Sequence, residues 1–290
     1  MRYMVSEVSA LTVRELKKWY RTKMLIILSL IQPILWLGLF GKAMNMTGLL
    51  RIPEDLIQNL PPYATQQISM LFNKIIESYF GVSDIDYFSY MAIGMLTIII
   101  LFTSMFSGMS IMWDRRLGFL NKLLASPISR ASIVISRILA SVIRALIQAT
   151  LVFFIALAFG LKLNLAGILE VILAIITLFL LSLGLSSFFI AITVRLKSWE
   201  AHMGIMNLVN LPLMFASNVL YPIKLMPEWL RGIASVNPLS FATNVLRQAF
   251  LYGSKADLTA ILHDFSITLI FAVSLLVICV ISSNRALREL

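Results

Sequence analysis

Between two long apolar runs of the sequence lies one short charged segment, residues 113–132, which reads WDRRLGFLNKLLASPISRAS. Asp114 is the only acidic residue in it, so the segment is strongly basic. The chemistry that such a segment offers is the binding of a partner. We call residues 113–132 the docking segment. Its cations are Arg115, Arg116, Lys122 and Arg130.

A short helix is predicted inside the docking segment, from Gly118 to Leu124, because apolar side chains recur there on one face. Ser126-Pro127 then ends the helix, since the residue before a proline is pushed out of the α region. A basic, proline-terminated helix between two long apolar runs is typical of a docking element. An ordinary basic loop on the inner side of a membrane fits the same residues. The apolar face comprises Phe119, Leu120, Leu123 and Leu124.

Groups that could catalyse a reaction or bind a metal are scarce. A single cysteine, Cys279, excludes an intrachain disulfide and a cysteine metal cluster. His202 and His263 are too few and too far apart for a zinc site. Glu170 is the only acid inside a predicted span, which argues against both a membrane enzyme and an ion-coupled transporter with buried carboxylates.

A phosphate-binding loop is also missing. The sequence contains no G-x-x-x-x-G-K motif, and its nearest approach, Gly38-x-x-Gly41-Lys42, is shorter and lies in an apolar run. We therefore expect a chain that is not an enzyme and that binds no cofactor of its own.

Composition places the chain in a membrane. Of its 290 residues, 59% are hydrophobic and only 13% are charged. In a soluble domain, about half of the residues are apolar and about a quarter are charged. The expected fold is an all-α polytopic membrane domain over residues 24–290. Its six predicted spans are 24–44, 88–112, 128–159, 167–194, 201–221 and 265–282.

Three segments outside these spans have their own character. Residues 1–23 predict an interfacial helix, with an apolar side that includes Leu11 and Trp19 and a cationic side that includes Arg14 and Lys17. Residues 45–87 are polar and acidic and predict an external subdomain with one amphipathic helix. Residues 222–254 are broken by proline and glycine and predict a re-entrant pair of half-helices, Glu228 to Ala234 and Leu239 to Leu251.

The charges orient the predicted spans. With both termini inside, 16 of the 24 Lys and Arg residues lie on the inner side, while nine of the 14 acids lie outside. This distribution follows the positive-inside rule and predicts cytoplasmic termini in a cell membrane. It also argues against a nucleic-acid partner, although the net charge is +10.

Two polar stripes cross the predicted spans. In the fifth span, Asn207, Asn210 and Ser217 recur at helical spacing, and in the third span Arg144 and Gln148 share a face. Each stripe could line a path through the membrane, or could supply hydrogen bonds between helices. In the third span we expect Arg130 and Arg137 to extend to the lipid headgroups, and Arg144 to face the helix bundle.

Two blocks of the sequence resemble a known family. The run Arg115-Arg116-x-Gly118-x-Leu120-x-x-Leu123-Leu124-x-Ser126-Pro127-Ile128-Ser129-Arg130 is similar to the loop after the second span of ABC-2 type export permeases of the daunorubicin-resistance kind. A later block resembles the re-entrant hairpin of that family, and the match covers about residues 90–255. Segment 45–87 matches least. The later block contains Pro222, Pro227, Trp229, Asn237, Pro238 and Arg247.

The resemblance implies the permease subunit of an ATP-driven exporter. It implies a second copy of the chain or a related permease, with two ATPase subunits that hold ATP and Mg and bind the docking segment as a coupling helix. Short loops and an apolar lining favour a small amphipathic molecule, drug or lipid. A polysaccharide, lipid-linked glycan or ion exporter of the same family, and an ATP-independent transporter, are the alternatives. The expected substrate path comprises Arg144, Gln148, Asn207, Asn210 and Ser217.

Overall fold

The structure is a computed structural model that describes residues 2–43, 67, 70–71, 74, 77–81, 85–196 and 198–287. Nearly all of these residues are helical, and they include no strand. Most of the external subdomain predicted at 45–87 lies outside the described residues. The all-helical fold class is confirmed.

Eleven α-helices are followed below as α1–α11. A π-helical segment, Leu37–Ala43, continues α2, and a 3₁₀ turn at Phe106–Gly108 joins α3 to α4. The helices are α1 Arg2–Arg21, α2 Lys23–Trp36, α3 Tyr87–Met105, α4 Met109–Arg116, α5 Phe119–Leu124, α6 Arg130–Ala158, α7 Ile168–Arg195, α8 Trp199–Phe215, α9 Glu228–Ala234, α10 Pro238–Leu251 and α11 Leu258–Ala286.

Four helical stretches among the described residues are long and apolar enough to cross a membrane: 87–116, which joins α3 and α4, together with α6, α7 and α11. They overlap the second, third, fourth and sixth predicted spans, although α6 is shorter than the third prediction at both ends and α7 begins one residue later than the fourth. At 29 residues, α6 is about 44 Å long and exceeds a hydrocarbon core of about 30 Å.

The helices at the first and fifth predicted spans are shorter. The α2 helix has 14 residues with Pro33 inside it, and α8 has 17 residues with Pro212 inside it. The fifth prediction extended to residue 221, but the helix ends at Phe215. Asn237 stabilises this end, because its Nδ2 donates to the carbonyls of Leu213 and Ala216 at 2.9 and 2.6 Å.

The central helix of the bundle is α3. In the most apolar window of the stretch 87–116, 83% of the residues are buried, against 17% in α11, so α11 lies at the periphery. The α7 and α11 helices pack closely side by side, and a Cβ on Gly184 would lie 2.7 Å from the Phe271 ring.

The two ends of the bundle differ. One end, which we call the basic end, is formed by α1, α4, α5 and the start of α6. The other, the hairpin end, carries α9 and α10. These two helices begin and end as predicted for the two half-helices, except that α10 starts one residue earlier, at Pro238. Asn237 caps α10, since its Oδ1 accepts from the Leu239 N–H at 3.0 Å.

The predicted apolar side of α1 needs correction. Leu11 is buried against the chain's own helices rather than facing lipid, because Thr12 and Glu15 beside it bond to α6. The exposed Val5, Val13 and Tyr20 lie on another flank, whereas Met4 is 39% exposed on the same face as Leu11.

Candidate functional site

The docking segment forms a compact turn at the basic end. Gly118 joins α4 to α5 with a φ of +69°, a left-handed conformation that glycine adopts without the clash of a Cβ atom. Beyond α5, the Ser126 hydroxyl donates to the Leu123 carbonyl at 2.7 Å. Ser129 then caps α6 by accepting from the Ser132 N–H at 3.0 Å. The predicted helix and its stop at Ser126-Pro127 are therefore present.

The apolar stripe of α5 faces inward. Leu120 and Leu123 are 1% and 7% exposed, because they close a hydrophobic cluster with residues of α4, α6, α7 and α11. These two leucines are therefore covered by the chain's own helices and are not available to a partner. Phe119 and Leu124 are half-buried. Between residues 116 and 127, the exposed residues are Arg116, Leu117, Asn121, Lys122, Ala125 and Pro127.

A buried ion cluster lies beneath α5. Arg137 is 2% exposed, and its Nη1 lies 2.6 Å from the Glu15 carboxylate. Its Nη2 pairs with Asp114, which also accepts from Lys18 at 3.0 Å and from Arg14 at 3.3 Å. We call Arg14, Glu15, Lys18, Asp114 and Arg137 the ion cluster. Arg137 was expected to reach the headgroups, and it does not, because two buried carboxylates hold it.

The ion cluster joins four helices. Glu15 lies on α1, Asp114 on α4 and Arg137 on α6. The Arg14 guanidinium also stacks on Phe119 of α5, 3.8 Å from the ring centroid. The α5 helix thus contacts α1 through this stacking, and ion pairs link α1 to α4 and α6.

Arg115 braces the same turn from the other side. Its two terminal nitrogens donate to the carbonyls of Leu196 and Val194 at 2.7 and 2.8 Å, at the end of α7. Trp113 packs against Trp199 of α8, with ring centroids 5.6 Å apart. The docking segment is thus held by α1, α6, α7 and α8.

The α6 stripe is engaged mostly in bonds between helices. Gln148 is buried, donates to Ser29 of α2 at 2.5 Å and accepts from Thr103 of α3. Ser141 lies 2.8 Å from Ser186 of α7. Arg144 is half-buried, and its Nε donates to the Ala140 carbonyl one turn earlier, at 3.1 Å. Arg130 is exposed at the start of α6.

The α8 stripe divides into buried and exposed residues. Asn210 and Ser217 are buried, and the Ser217 hydroxyl donates to the Met214 carbonyl at 2.7 Å. Asn207 is exposed. The Oδ1 of Asn210 is buried without a hydrogen-bond partner among the described residues. The hydrogen bonds of Gln148 with Ser29 and Thr103 lead to α2 and α3, so they do not join the two stripes.

Arg247 clamps the hairpin end together. It is 1% exposed and donates to the carbonyls of Tyr90, Asn218 and Val219, at 2.7 Å for the last two. Its guanidinium lies 3.3 Å from the centroid of the Tyr90 ring. A Cβ on Gly94 would lie 2.5 Å from the Val219 carbonyl oxygen, so glycine leaves room for this clamp.

The other hairpin residues lie nearer the surface. Trp229 is 71% exposed and Pro227 is exposed, whereas Pro222 is buried. Sequence reasoning missed the partners of Arg137 and Arg247. The signal for the first was available, because Glu15 and Asp114 are isolated acids among cations.

This arrangement defines a helical membrane protein with a braced basic segment between two long apolar helices. The chain belongs to the ABC-2 type transporter family, whose sequence profile matches residues 6–251. Members of this family are membrane subunits of ABC transporters rather than the ATPase, and they generally work with ATPase subunits.

Several relatives support the assignment. The ycf38 protein of Porphyra purpurea, named as a transport permease, is 31% identical over 85% of this chain and 74% of its own length. The daunorubicin resistance ABC transporter permease protein DrrB1 of Streptomyces coeruleorubidus is 24% identical over 62% of this chain and 63% of its own. YbhR of Escherichia coli K12, named as a multidrug ABC transporter permease, is 27% identical over 52% of this chain and 40% of its own length.

Proposed function

We propose that this chain is the transmembrane permease of an ABC exporter that moves a small amphipathic, drug-like or lipid-like molecule outward. Separate ATPase subunits would bind ATP and Mg and supply the energy. The observation that carries the proposal is the braced docking segment, whose exposed rim is free of the bundle while its inner face is tied to α1 and α6. The names of DrrB1 and YbhR favour a drug-like substrate over the glycan and ion alternatives.

The proposed layout has six spans. The α2 helix with its π-helical continuation forms the first, and α8 with the residues up to 221 forms the fifth. Both termini and the docking segment lie in the cytoplasm, and α9 and α10 form the re-entrant hairpin on the outer side of the plasma membrane. Two such chains, or one with a related permease, would assemble with two ATPase subunits.

Coupling would proceed through the exposed rim of the docking segment. A partner can reach Arg116, Leu117 and Lys122, of which Leu117 is 73% exposed. When the docked ATPase subunits close on ATP, the displaced α5 would push on Arg14 through Phe119 and on Arg137 through Asp114. Because Arg137 lies within α6, the result is a tilt of the third span.

The proposed substrate path is lined by the polar side chains that have the fewest hydrogen bonds within the chain and are therefore available to a substrate. Asn207 is exposed on α8 and Arg144 is half-buried on α6, whereas Gln148 and Ser217 are occupied by bonds within the chain. A polar side chain at membrane depth needs protein or a wet cavity beside it. A path between paired chains would supply both.

The test is co-purification with a co-expressed ABC ATPase subunit. Leu117→Asp with Lys122→Glu should abolish ATPase recovery, because it places negative charge on the exposed rim without touching a buried side chain. The matched control is Leu165→Asp with Lys162→Glu, a pair of exposed residues at the hairpin end. Wild-type recovery with the docking variant would show that this rim is not the docking surface, and a lone chain that transports without ATP would refute the function.

A further inference from the structure

We propose that the basic flank of α1 binds the phosphate group of an anionic membrane lipid. A cleft of about 360 Å³ opens on this flank. Four of its six lining residues are cationic and none of the six is acidic, while the two others are apolar and suit the start of a lipid tail. The lining residues are Ala10, Val13, Arg14, Lys17, Lys18 and Arg21.

Two of the four cations are fixed in place before any ligand binds. Lys18 lies 3.0 Å from Asp114, and Arg14 lies 3.3 Å from Asp114 while it stacks on Phe119. Lys17 and Arg21 stand exposed at the rim, and no ion pair to a described residue involves either of them. The cleft thus combines a rigid base with two available charges.

The local charge is not balanced within the chain. Five cations, the four of the cleft and Arg137, are set against two carboxylates, Glu15 and Asp114, which leaves 5 − 2 = 3 positive charges. An anion in the cleft would be stabilised by that excess, as phosphates are by clustered arginine and lysine near a membrane surface.

The position of the cleft points to a lipid as the source of the phosphate. Arg21 ends α1, Thr22 leaves the helical conformation, and the apolar α2 begins at once. The exposed Val13, which lines the cleft, and Tyr20 on the neighbouring flank can enter the acyl region. This step rests on the proposed layout, in which α2 enters the membrane and the cleft therefore lies level with the headgroups.

Lipid retention by the purified full-length chain tests the proposal without any ATPase. The chain in a non-ionic detergent is titrated with phosphatidylglycerol, and bound lipid is measured by native mass spectrometry. Each cation is worth about fivefold in affinity near an anionic surface, so Lys17→Gln with Arg21→Gln should bind about 25-fold more weakly. The control, Lys162→Gln with Arg195→Gln, removes one exposed lysine and one exposed arginine elsewhere and should bind as the wild type does.

Several results would overturn the proposal. They are equal retention by the double variant, equal retention of phosphatidylcholine, and displacement of the lipid by an equal concentration of inorganic phosphate. A double variant that keeps its lipid and loses the ATPase subunit would instead make this flank a protein-docking surface. If the double variant unfolds, Lys17→Gln alone should still show a fivefold loss. Failure of ATPase docking leaves the lipid result unaffected, so the two proposals are tested separately.

Discussion

Arg137 is a buried side chain whose ion pairs hold the helices of the basic end together. A guanidinium that is 2% exposed would be costly without partners, and Glu15 and Asp114 supply them from two other helices. Replacement of a buried ion pair by apolar groups is often tolerated, whereas removal of one partner leaves an uncompensated charge. The basic end therefore depends on the completeness of the ion cluster.

Asp114→Asn should destabilise the chain by on the order of 3 kcal/mol, because it removes one of the two carboxylates that face buried Arg137. The apparent melting temperature in detergent, followed by tryptophan fluorescence, measures the effect. Glu200→Gln, which removes an exposed carboxylate near the same end, should leave that temperature within a degree or so of wild type. Equal melting temperatures for the two variants would mean that the cluster adds no stability.

Gly94→Ala should destabilise the chain by about 1–3 kcal/mol, the usual cost of overpacking a dense interior. The added methyl would lie 2.5 Å from the Val219 carbonyl oxygen and 3.0 Å from Nη2 of Arg247, so it would push the arginine out of its carbonyl cage. Gly204→Ala on α8 is the matched control, because no atom lies within 4 Å of its Cβ position. Helix propensity alone should make that control as stable as the wild type or more so. Equal stability of the Gly94→Ala and Gly204→Ala variants would contradict this prediction.

At the scale of the element, the bounds of the helices could be predicted from local sequence rules, but the contacts between the helices could not. Residues 128–159 contain no helix breaker, and α6 occupies Arg130–Ala158; Asn237-Pro238 is a start signal, and α10 starts there. The inward face of α5 could not be derived in this way. An apolar stripe shows that one face is covered but not by what, and the cover consists of residues from distant parts of the chain.

The α9–α10 hairpin should be reachable only from the outer side. Ser235 is exposed in the turn that joins the two helices, so Ser235→Cys in a Cys279→Ala background presents one accessible thiol. A membrane-impermeant maleimide should label intact cells or right-side-out vesicles, and should not label inside-out vesicles. Cys279 is buried, which keeps the background low even before its removal. Labelling from the inner side would refute both the hairpin and the six-span layout.

At the scale of the whole molecule, burial is concentrated in the centre of the bundle. The α3 helix is almost entirely buried, while α8 exposes Asn207 and α11 is largely exposed. The prediction that Arg137 extends to the lipid headgroups was wrong because the order of charges along the chain does not show which of them become neighbours. Glu15 lies more than a hundred residues away from Arg137 in the sequence. Placement of the spans depends on composition, whereas the placement of charges depends on which spans become neighbours.

Arg144 tests whether the α6 stripe serves transport in the complete assembly. Its Nε donates to the Ala140 carbonyl of its own helix, and no carboxylate among the described residues forms an ion pair with it. An arginine that faces a wet path can meet a substrate there, and one that faces lipid can only extend to headgroups. Arg144→Leu should therefore lower substrate-stimulated ATP hydrolysis several-fold while co-purification with the ATPase is unchanged. Arg130→Leu, an exposed arginine two heptads earlier on α6, is the control. Wild-type stimulation in Arg144→Leu would place this guanidinium among the headgroups and remove it from the path.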